Sequence, residues 1–319
     1  MTLTLSLVQD ARERISPYLK PTPMVRCDSL EKALSYNGRI FVKCEQDHPT
    51  GSFKVRGAFN NILQLTEEEK KKGVITRSSG NFAQAVAYSA AILNVNATIV
   101  MPKNAPKTKL RGTESYGPKI IYSTGSHEEG EAIVDQEAKD RNLVKLHPYN
   151  NVRTMAGQGT AALEILEQIA TVAHFFCAIG GGGLLSGCSL ALKEKKGSVV
   201  VHGIEPQGAS DYFDSRAKGE LVTWQKVDTI ADGLRSSSVG DLNYPLLNKY
   251  VDVVAIVTDE EIKYAMKLIF EKMNVVIEPS GAVSLAGFIK AKDKLSGDVV
   301  ILLSGKNVDM DSFEEFIKS

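Results

Sequence analysis

One lysine stands among apolar neighbours in the stretch GSFKVRG, which occupies residues 51–57. Burial disfavours the charged form of an amine and lowers its pKa, which prepares a lysine for Schiff-base formation and for proton abstraction. The alternative is that Lys54 begins a helix and extends its ammonium group into water. Taken alone, the stretch favours this alternative, because most lysines lie on protein surfaces.

A second chemical feature is the run of four glycines at residues 180–183, between the apolar stretch HFFCAI and the helical pattern LLSGCSLAL. Residues without Cβ let successive backbone N–H groups turn toward one anion, and a helix N-terminus adds its positive end. The run therefore predicts a phosphate cup. Its spacing matches neither GxGxxG nor GxxxxGK[ST], and the alternative is a tight strand-to-helix turn.

Small polar residues follow two other apolar stretches. Ser78, Ser79 and Asn81 follow VITR, and Ser304 follows VVILL. In open α/β sheets, ligands bind where strands end, although serine and asparagine at these places also cap helices. Three such strand ends can converge on one ligand.

The elements that would position these groups alternate along the chain. Short β-branched runs such as RIFVKCE, GVITRSS and NATIVMP are separated by amphipathic runs such as GAFNNILQLTEEEKKKG and SHEEGEAIVDQEAKDR. This alternation predicts mainly parallel sheets flanked by helices, hence an α/β fold. With no tandem repeat and no obvious linker, we expect any second domain to be inserted into the first.

Composition excludes several classes of function. The 319 residues carry 38 basic and 38 acidic side chains, so charge gives no reason to expect nucleic acid or an anionic membrane as a partner. No apolar run approaches twenty residues, and the four cysteines show no metal-ligand spacing. We expect a cytoplasmic protein whose cysteines are reduced.

Seven short motifs stand in a characteristic order: TGSFKVRGA (50–58), SSGN (78–81), AGQGT (156–160), GGGGL (180–184), ADG (231–233), IEPSGA (277–282) and LSGKN (303–307). Together they resemble pyridoxal-phosphate enzymes of fold type II, and most of all the serine racemase and serine/threonine dehydratase family. The resemblance covers nearly the whole chain. It implies two open, twisted sheets of the tryptophan synthase β type, with a large domain at residues 1–72 and 148–319 and a small inserted domain at residues 73–147. It also implies a homodimer.

The same resemblance assigns roles to the conspicuous residues. Lys54 would carry pyridoxal phosphate covalently, residues 180–183 would hold its phosphate, Asn81 its 3-oxygen and Ser304 its ring nitrogen. A hydroxyl does not keep that nitrogen protonated as a carboxylate would, which suits elimination more than transamination. Besides Lys54, Asn81 and Ser304, the resemblance implies these cofactor contacts, including the phosphate-binding glycines: Phe53, Gly180, Gly181, Gly182, Gly183, Leu184, Gly233 and Glu278. The implied substrate contacts are Ser78, Ser79, Asn81, Phe82 and Ser236.

Ser79 is the most informative of these positions. In the racemases of this family, a serine here resembles a second acid/base on the cofactor face opposite the lysine. Lys54 would remove the Cα proton from one face of an L-amino acid and Ser79 would return it from the other. Loss of a 3-hydroxyl from the same carbanion would give a 2-oxo acid and ammonia. Because hydroxyaspartate dehydratases also carry this serine, its presence allows racemisation without proving it.

A divalent-cation site is implied at IEPQGASDYF. Glu205, the carbonyl of Ala209 and Asp211 match the family's ligands, and oxygen ligands suit Mg²⁺ or Ca²⁺. The alternative is a pair of exposed acids in a loop. The cation would act structurally, away from the chemistry.

The sequence also leaves alternative interpretations of the substrate and of the activity. The acidic segment TGSHEEGEA replaces one that carries a carboxylate-binding arginine in serine racemases, which makes hydroxyaspartate less attractive as a substrate. Phe82 replaces a histidine and would favour an aryl-serine. β-Replacement, as in cysteine synthases, and a catalytically silent pyridoxal-phosphate-binding regulatory protein are the remaining alternatives. Retention of Lys54 argues against the silent protein.

Overall fold

The computed structural model describes residues 2–124 and 127–318. The strands are β1 Met24–Arg26, β2 Ile40–Cys44, β3 Val74–Arg77, β4 Ala97–Pro102, β5 Lys119–Ser123, β6 Val144–Lys145, β7 Val172–Ala178, β8 Val200–Pro206, β9 Val253–Val257 and β10 Asp298–Leu303. The helices are α1 Leu5–Ile15, α2 Asp28–Ala33, α3 Lys54–Ile62, α4 Glu67–Lys72, α5 Asn81–Ile92, α6 Lys107–Glu114, α7 His127–Arg141, α8 Val152–Gln168, α9 Gly183–Lys195, α10 Asp211–Lys218, α11 Tyr244–Tyr250, α12 Asp259–Met273, α13 Pro279–Ala291 and α14 Met310–Lys318.

These strands form two separate sheets. The larger has the order β1-β2-β10-β7-β8-β9, and the smaller has the order β5-β4-β3-β6. Among the described strands, β1 and β2 pair antiparallel and the other neighbours pair parallel. Strand β10 is buried along its whole length, as expected for a parallel strand covered on both faces. The predicted fold class is therefore confirmed.

The run GAFNNILQLTEEEKKKG contains parts of two helices, although its apolar pattern is continuous. Helix α3 ends at Ile62, and α4 begins after Thr66, whose side chain accepts from the backbone of Glu69 while the Glu69 carboxylate accepts from the backbone of Thr66. This capping box satisfies N–H groups that the first turn of α4 leaves without intrahelical partners. A new helix therefore begins at Thr66.

Helix α3 packs where the two sheets approach each other. Its residues Val55, Phe59 and Ile62 belong to the same hydrophobic cluster as Ile99 of the smaller sheet. On its other side α3 contacts α8, which covers the larger sheet. The predicted small domain, residues 73–147, encloses the four strands of the smaller sheet, and the division into domains stays a prediction. Lys54, the first residue of α3, thus lies at the junction of the two layers.

Three parallel strands end at this junction. Strand β3 leads into residues 78–81, β7 into residues 180–183, and β10 into Ser304. An isolated bridge joins Ser52 to Gly305, which ties the segment before Lys54 to the end of β10. Nothing in the helices of the described ranges is both long and apolar enough to pass through a lipid bilayer.

Candidate active site

The ends of β3, β7 and β10 border one pocket, which is lined by residues from both sheets and their connections. Of the residues that the sequence predicted for cofactor and substrate, the pocket is lined by Phe53, Lys54, Ser78, Ser79, Asn81, Phe82, Gly180, Gly181, Gly182, Gly183, Leu184, Gly233, Ser236, Glu278 and Ser304. This set includes every cofactor and substrate contact implied by the resemblance. Their proximity is an observation, and their individual roles remain predictions.

The amine of Lys54 lies in the pocket, and its pKa is lower than that of an ordinary lysine. Burial lowers the pKa of Lys54 to about 8, against a smaller opposing effect of the Glu278 charge. The Nζ atom donates to the Pro148 carbonyl at 3.2 Å and lies 5.0 Å from the centre of the Phe53 ring and 6.0 Å from that of Phe82. As the alternative required, Lys54 begins α3, but its half-buried amine lies among the residues that line the pocket. Near neutral pH an appreciable fraction of this amine is neutral and nucleophilic.

The four glycines form the turn from β7 into α9, and the neighbouring atoms leave no room for side chains at these positions. Gly182 has φ of +90°, a conformation that favours glycine, and a Cβ on Gly181 would lie 2.3 Å from the Tyr149 ring. Gly182 is the N-cap residue of α9 and has no side chain with which to cap the helix. The first N–H groups of α9, at pocket residues Gly183 and Leu184, are thus available to bind an anion. This arrangement fits a phosphate.

Asn81 is held in place by a chain of polar contacts. Its Nδ2 donates to Glu278 Oε1 at 2.6 Å, and its Oδ1 accepts from Asn307 Nδ2 at 2.8 Å. Lys109 Nζ lies 2.9 Å from Glu278 Oε2 and 2.6 Å from Asp232 Oδ2. Burial raises the pKa of Glu278, and the Lys109 charge opposes that rise. These contacts fix the orientation of the Asn81 amide. The second N–H of its Nδ2 can then donate to an oxygen atom of a ligand.

Ser304 belongs to a second small network. Its hydroxyl donates to the Ser280 carbonyl at 3.4 Å, and the Ser280 hydroxyl accepts from the backbone N–H of Gly233 at 2.9 Å. This network joins the end of β10 to the start of α13. The Ser304 hydroxyl lines the pocket as a neutral group that can donate or accept a hydrogen bond.

Glu205 and Asp211 are not among the residues that line the pocket. The Glu205 carboxylate accepts from the backbone N–H groups of Tyr212 and Phe213, and Asp211 Oδ2 accepts from that of Val239. Burial raises the pKa of Asp211 to about 7, and burial together with the Asp211 charge raises that of Glu205. The pair is buried, so the reading as exposed loop acids is wrong. Throughout residues 2–124 and 127–318, no three His, Cys, Asp or Glu side chains are grouped as metal ligands.

Several polar residues of the pocket were not predicted from the sequence. They are Arg77, Lys109, Tyr149, Asp232, Arg235 and Ser280. Arg77 directly precedes residues 78–81, and Asp232 and Ser280 stand within recognised motifs, so proximity in the sequence could have found these three. Lys109 contacts an acid 123 positions away, and the sequence carries no local signal for such a contact.

Comparison with known proteins identifies relatives over the whole chain. A family model described as pyridoxal-phosphate dependent enzyme matches residues 15–305. The serine racemase of Dictyostelium discoideum is 38% identical over 321 residues, which cover 99% of this chain and 98% of the relative. The L-threo-3-hydroxyaspartate ammonia-lyase of Saccharomyces cerevisiae is 39% identical, over 97% of this chain and 95% of the relative. The structure of maize serine racemase has a TM-score of 0.93 and 38% identity, and the match covers 100% of this chain and 98% of that one.

Proposed function

Because the chain belongs to the pyridoxal-phosphate dependent enzyme family, we propose that it converts a small L-3-hydroxy amino acid, serine or threonine, into a 2-oxo acid and ammonia, and that it also racemises serine. The observation that carries this proposal is the amine of Lys54, whose pKa is about 8, in one pocket with the glycine turn before α9 and with Ser79. The related racemases and the related ammonia-lyase support both activities.

The residues present fit the cofactor. Lys54 would bind it covalently, the start of α9 would hold its phosphate, Asn81 would contact its 3-oxygen and Ser304 its ring nitrogen. When bound, pyridoxal phosphate supplies an electron sink for negative charge at the substrate Cα. The exclusion of side chains around residues 180–183 and the uncapped start of α9 support the phosphate position. The fixed amide of Asn81 supports the second contact.

The protein's own groups would then move the protons. The amine of Lys54 would act as the base that removes the Cα proton of the substrate. Ser79 returns a proton to Cα in racemisation. In elimination the 3-hydroxyl leaves as water, and hydrolysis of the product gives the 2-oxo acid and ammonia. The burial that lowers the pKa of Lys54 suits it to this role, because a general base works best when its pKa lies near the working pH.

We also propose that Glu205, Asp211 and the carbonyl of Ala209 bind Mg²⁺ or Ca²⁺. Two neighbouring buried carboxyls with raised pKa values support this, because a divalent cation would favour their charged forms. One backbone carbonyl and two carboxylates supply the oxygen ligands that these cations prefer. The cation would stabilise the turn between β8 and α10.

A cytoplasmic homodimer completes the proposal. The four cysteines are buried and carry free thiols, which supports a reducing compartment. The dimer is proposed from the resemblance to the family. Sedimentation of the purified protein measures its mass directly, and a single-chain mass would exclude the dimer.

The experiment that tests the function measures pyruvate and D-serine formed from L-serine by protein purified with pyridoxal phosphate and Mg²⁺. A Lys54→Ala variant serves as the control. We expect both products from the wild-type protein and neither from the variant. A protein that binds the cofactor but converts neither serine nor any other 3-hydroxy amino acid would instead be the silent binding protein.

A further inference from the structure

Asn243 is a buried polar side chain that the proposed mechanism does not use. It lies against the glycine turn, residues 180–183, because a Cβ on Gly182 would be 3.0 Å from Asn243 Cβ and 3.4 Å from its Cγ. Asn243 is not among the residues that line the pocket. Any effect of this side chain on a ligand must therefore pass through the turn.

Asparagine at a helix start usually caps the helix, but Asn243 does not. Its position is the N-cap of α11, where an asparagine oxygen normally accepts from an N–H of the first turn. No such bond forms in this helix, and Asn243 Oδ1 is buried without a hydrogen-bond partner in the described ranges. A buried acceptor in this state lowers stability. Neither capping nor stability therefore accounts for the asparagine.

The amide donor of Asn243 binds a neighbour of the turn. Its Nδ2 donates to the Tyr149 carbonyl at 3.2 Å. Tyr149 packs against the turn, since a Cβ on Gly181 would lie 2.3 Å from its ring and a Cβ on Gly183 would lie 2.9 Å from its Cα. Asn243 contacts Gly182, which stands between these two glycines. The turn is thus held between two residues that are hydrogen-bonded to each other.

Asn243 also holds the residue that orients one peptide of the turn. A Cβ on Gly240 would lie 2.5 Å from Asn243 Nδ2, and the Gly240 carbonyl accepts from the backbone N–H of Asn243 at 2.9 Å. The Gly240 N–H in turn donates to the Gly181 carbonyl at 3.1 Å. All described peptide bonds are trans, so the C=O of Gly181 and the N–H of Gly182 point in opposite directions. The Gly182 N–H therefore points away from Gly240.

Four consecutive glycines need such support. Glycine loses more conformational freedom on ordering than any other residue, and ordering that is left to the moment of binding weakens the affinity for the ligand. A turn that is already ordered in the folded protein avoids this loss. The contacts of Asn243 therefore favour a turn that is preformed for its ligand.

On the basis of the proposed function, which places a phosphate at this turn, we infer that Asn243 is a positioning residue for that phosphate. Its hydrogen bond to Tyr149 and its contact with Gly182 keep the turn in the conformation whose N–H groups bind the anion. The proposed contacts of the cofactor ring come from α3, the start of α5 and the end of β10, and none involves Asn243. Asn243 should therefore matter only for ligands that carry a phosphate.

The test compares pyridoxal phosphate with pyridoxal, which share the ring and the aldehyde and differ by the phosphate. Absorbance titration of the full-length protein, freed of cofactor, gives the Kd of each. Asn243→Leu keeps most of the side-chain volume and removes the donor. Loss of this hydrogen bond predicts pyridoxal phosphate binding about tenfold weaker in the variant, with pyridoxal binding within about twofold of the wild type. Equal weakening of both ligands, or no change in either, would overturn the inference.

Two further variants locate the effect. Asn248→Leu makes the same change on α11 at an exposed residue, whose Oδ1 accepts from the Tyr212 hydroxyl, and it should leave both Kd values unchanged. Asn243→Asp keeps the shape but turns an oxygen, in place of the donor, toward the Tyr149 carbonyl. It should weaken pyridoxal phosphate at least as much as Asn243→Leu does and again spare pyridoxal. If Asn243→Leu does not fold, Asn243→Asp carries the comparison, and unchanged pyridoxal phosphate binding in it contradicts the positioning role.

Measurements on the wild-type protein separate this inference from the proposed function. The phosphate position predicts that inorganic phosphate competes with pyridoxal phosphate and much less with pyridoxal. If it competes with neither, both the phosphate position and the inference fail. If it competes as expected and Asn243→Leu binds pyridoxal phosphate like the wild type, the phosphate position stands and the inference fails. If the binding results are as expected but no 3-hydroxy amino acid is converted, the proposed function fails and the positioning role stands.

Discussion

At the scale of single residues, the proposed chemistry depends on how burial changes the pKa of a lysine amine. Lys54 has no carboxylate within ion-pair distance, and the charge of Glu278 only partly opposes the desolvation that lowers its pKa to about 8. Lys109, in the same pocket, is also buried, but Glu278 and Asp232 contact it directly and raise its pKa. The pKa values of these two lysines are therefore shifted in opposite directions because their partners differ. Of the two, Lys54 is the one with an appreciable neutral fraction near neutral pH, as a nucleophile or base requires.

The pKa of Lys54 predicts how fast the cofactor-free protein captures pyridoxal phosphate. Below pH 8 the amine is mainly protonated and cannot attack, so the capture rate should rise with pH and reach half its maximum near pH 8. Stopped-flow absorbance between about pH 7 and pH 11 measures this rate and covers both values. Lys54→Arg, which cannot form the bond, is the control. A half-maximum near 10.5, the ordinary lysine value, would mean that the amine is solvated in solution.

At the scale of elements, α3 is anchored by a buried ionic network close to Lys54. Arg56, which is fully buried, donates to both oxygens of Glu45 at 2.7 and 2.8 Å and to both oxygens of Glu164 at 2.7 and 2.8 Å. Glu45 follows β2 and Glu164 lies on α8, and Lys43 Nζ also contacts Glu164 at 2.6 Å. Although burial raises the pKa of Glu45, the charge of Arg56 lowers it well below its ordinary range. The network fixes the start of α3 against the larger sheet.

Removing the Arg56 charge should therefore lower the free energy of unfolding. Arg56→Met keeps much of the side-chain volume but leaves Glu45 and Glu164 with too little positive charge, and loss of one partner of a buried pair costs about 3–5 kcal/mol. Urea unfolding of the wild-type and variant proteins gives the free energy difference.

Arg26→Met is the matched control, because 49% of the Arg26 side chain is exposed and solvent screens its ion pairs with Asp28 and Glu31, so we expect a much smaller effect. Equal effects of the two substitutions would contradict the importance assigned to the buried network.

The elements could be predicted from the sequence wherever the signal was local. The β7 strand, the glycine turn and α9 follow one another directly, and the phosphate cup was predicted from that order. The parallel sheets were predicted from the alternation of β-branched and amphipathic runs along the chain. The apolar pattern continues through Leu63 and Leu65 and does not show the break between α3 and α4, whereas residues 66–69 have the sequence of a capping box and are the local signal for it. Long-range polar contacts were also missed: Lys109 and Tyr149 reach the pocket through tertiary packing, which periodicity does not reveal.

At the scale of the whole molecule, the pocket exists because two sheets meet. The smaller sheet contributes Arg77, Ser79 and Asn81 from the end of β3, and the larger contributes the glycine turn and Ser304. Helix α6 follows β4 of the smaller sheet, and Asp309, next to α14, accepts from the N–H groups of Lys107 and Thr108 at its start. These hydrogen bonds are made by residues that do not line the pocket.

Stability of the whole chain tests the proposed cation site. Cations that bind only the folded protein raise its stability by RT ln(1 + [L]/Kd), about 2.7 kcal/mol at a hundred times Kd. We therefore expect Mg²⁺ or Ca²⁺ to raise Tm and EDTA to lower it, as measured by differential scanning calorimetry.

Asp211→Asn should abolish this response, whereas Asp228→Asn, at an exposed carboxylate, should retain it. A Tm that ignores both cations, or a response that survives in Asp211→Asn, would exclude the site at Glu205 and Asp211.

The most direct test of the central claim, that Lys54 and Ser79 are two separate proton-handling groups in one pocket, is the ratio of D-serine to pyruvate formed from L-serine by Ser79→Ala. Loss of a positioned acid/base costs about a hundredfold or more. The account predicts that D-serine formation falls by at least that factor while pyruvate release, which depends on Lys54, stays within a few-fold of the wild-type rate. Unchanged D-serine formation, or an equal fall in both products, would contradict the assignment of Ser79.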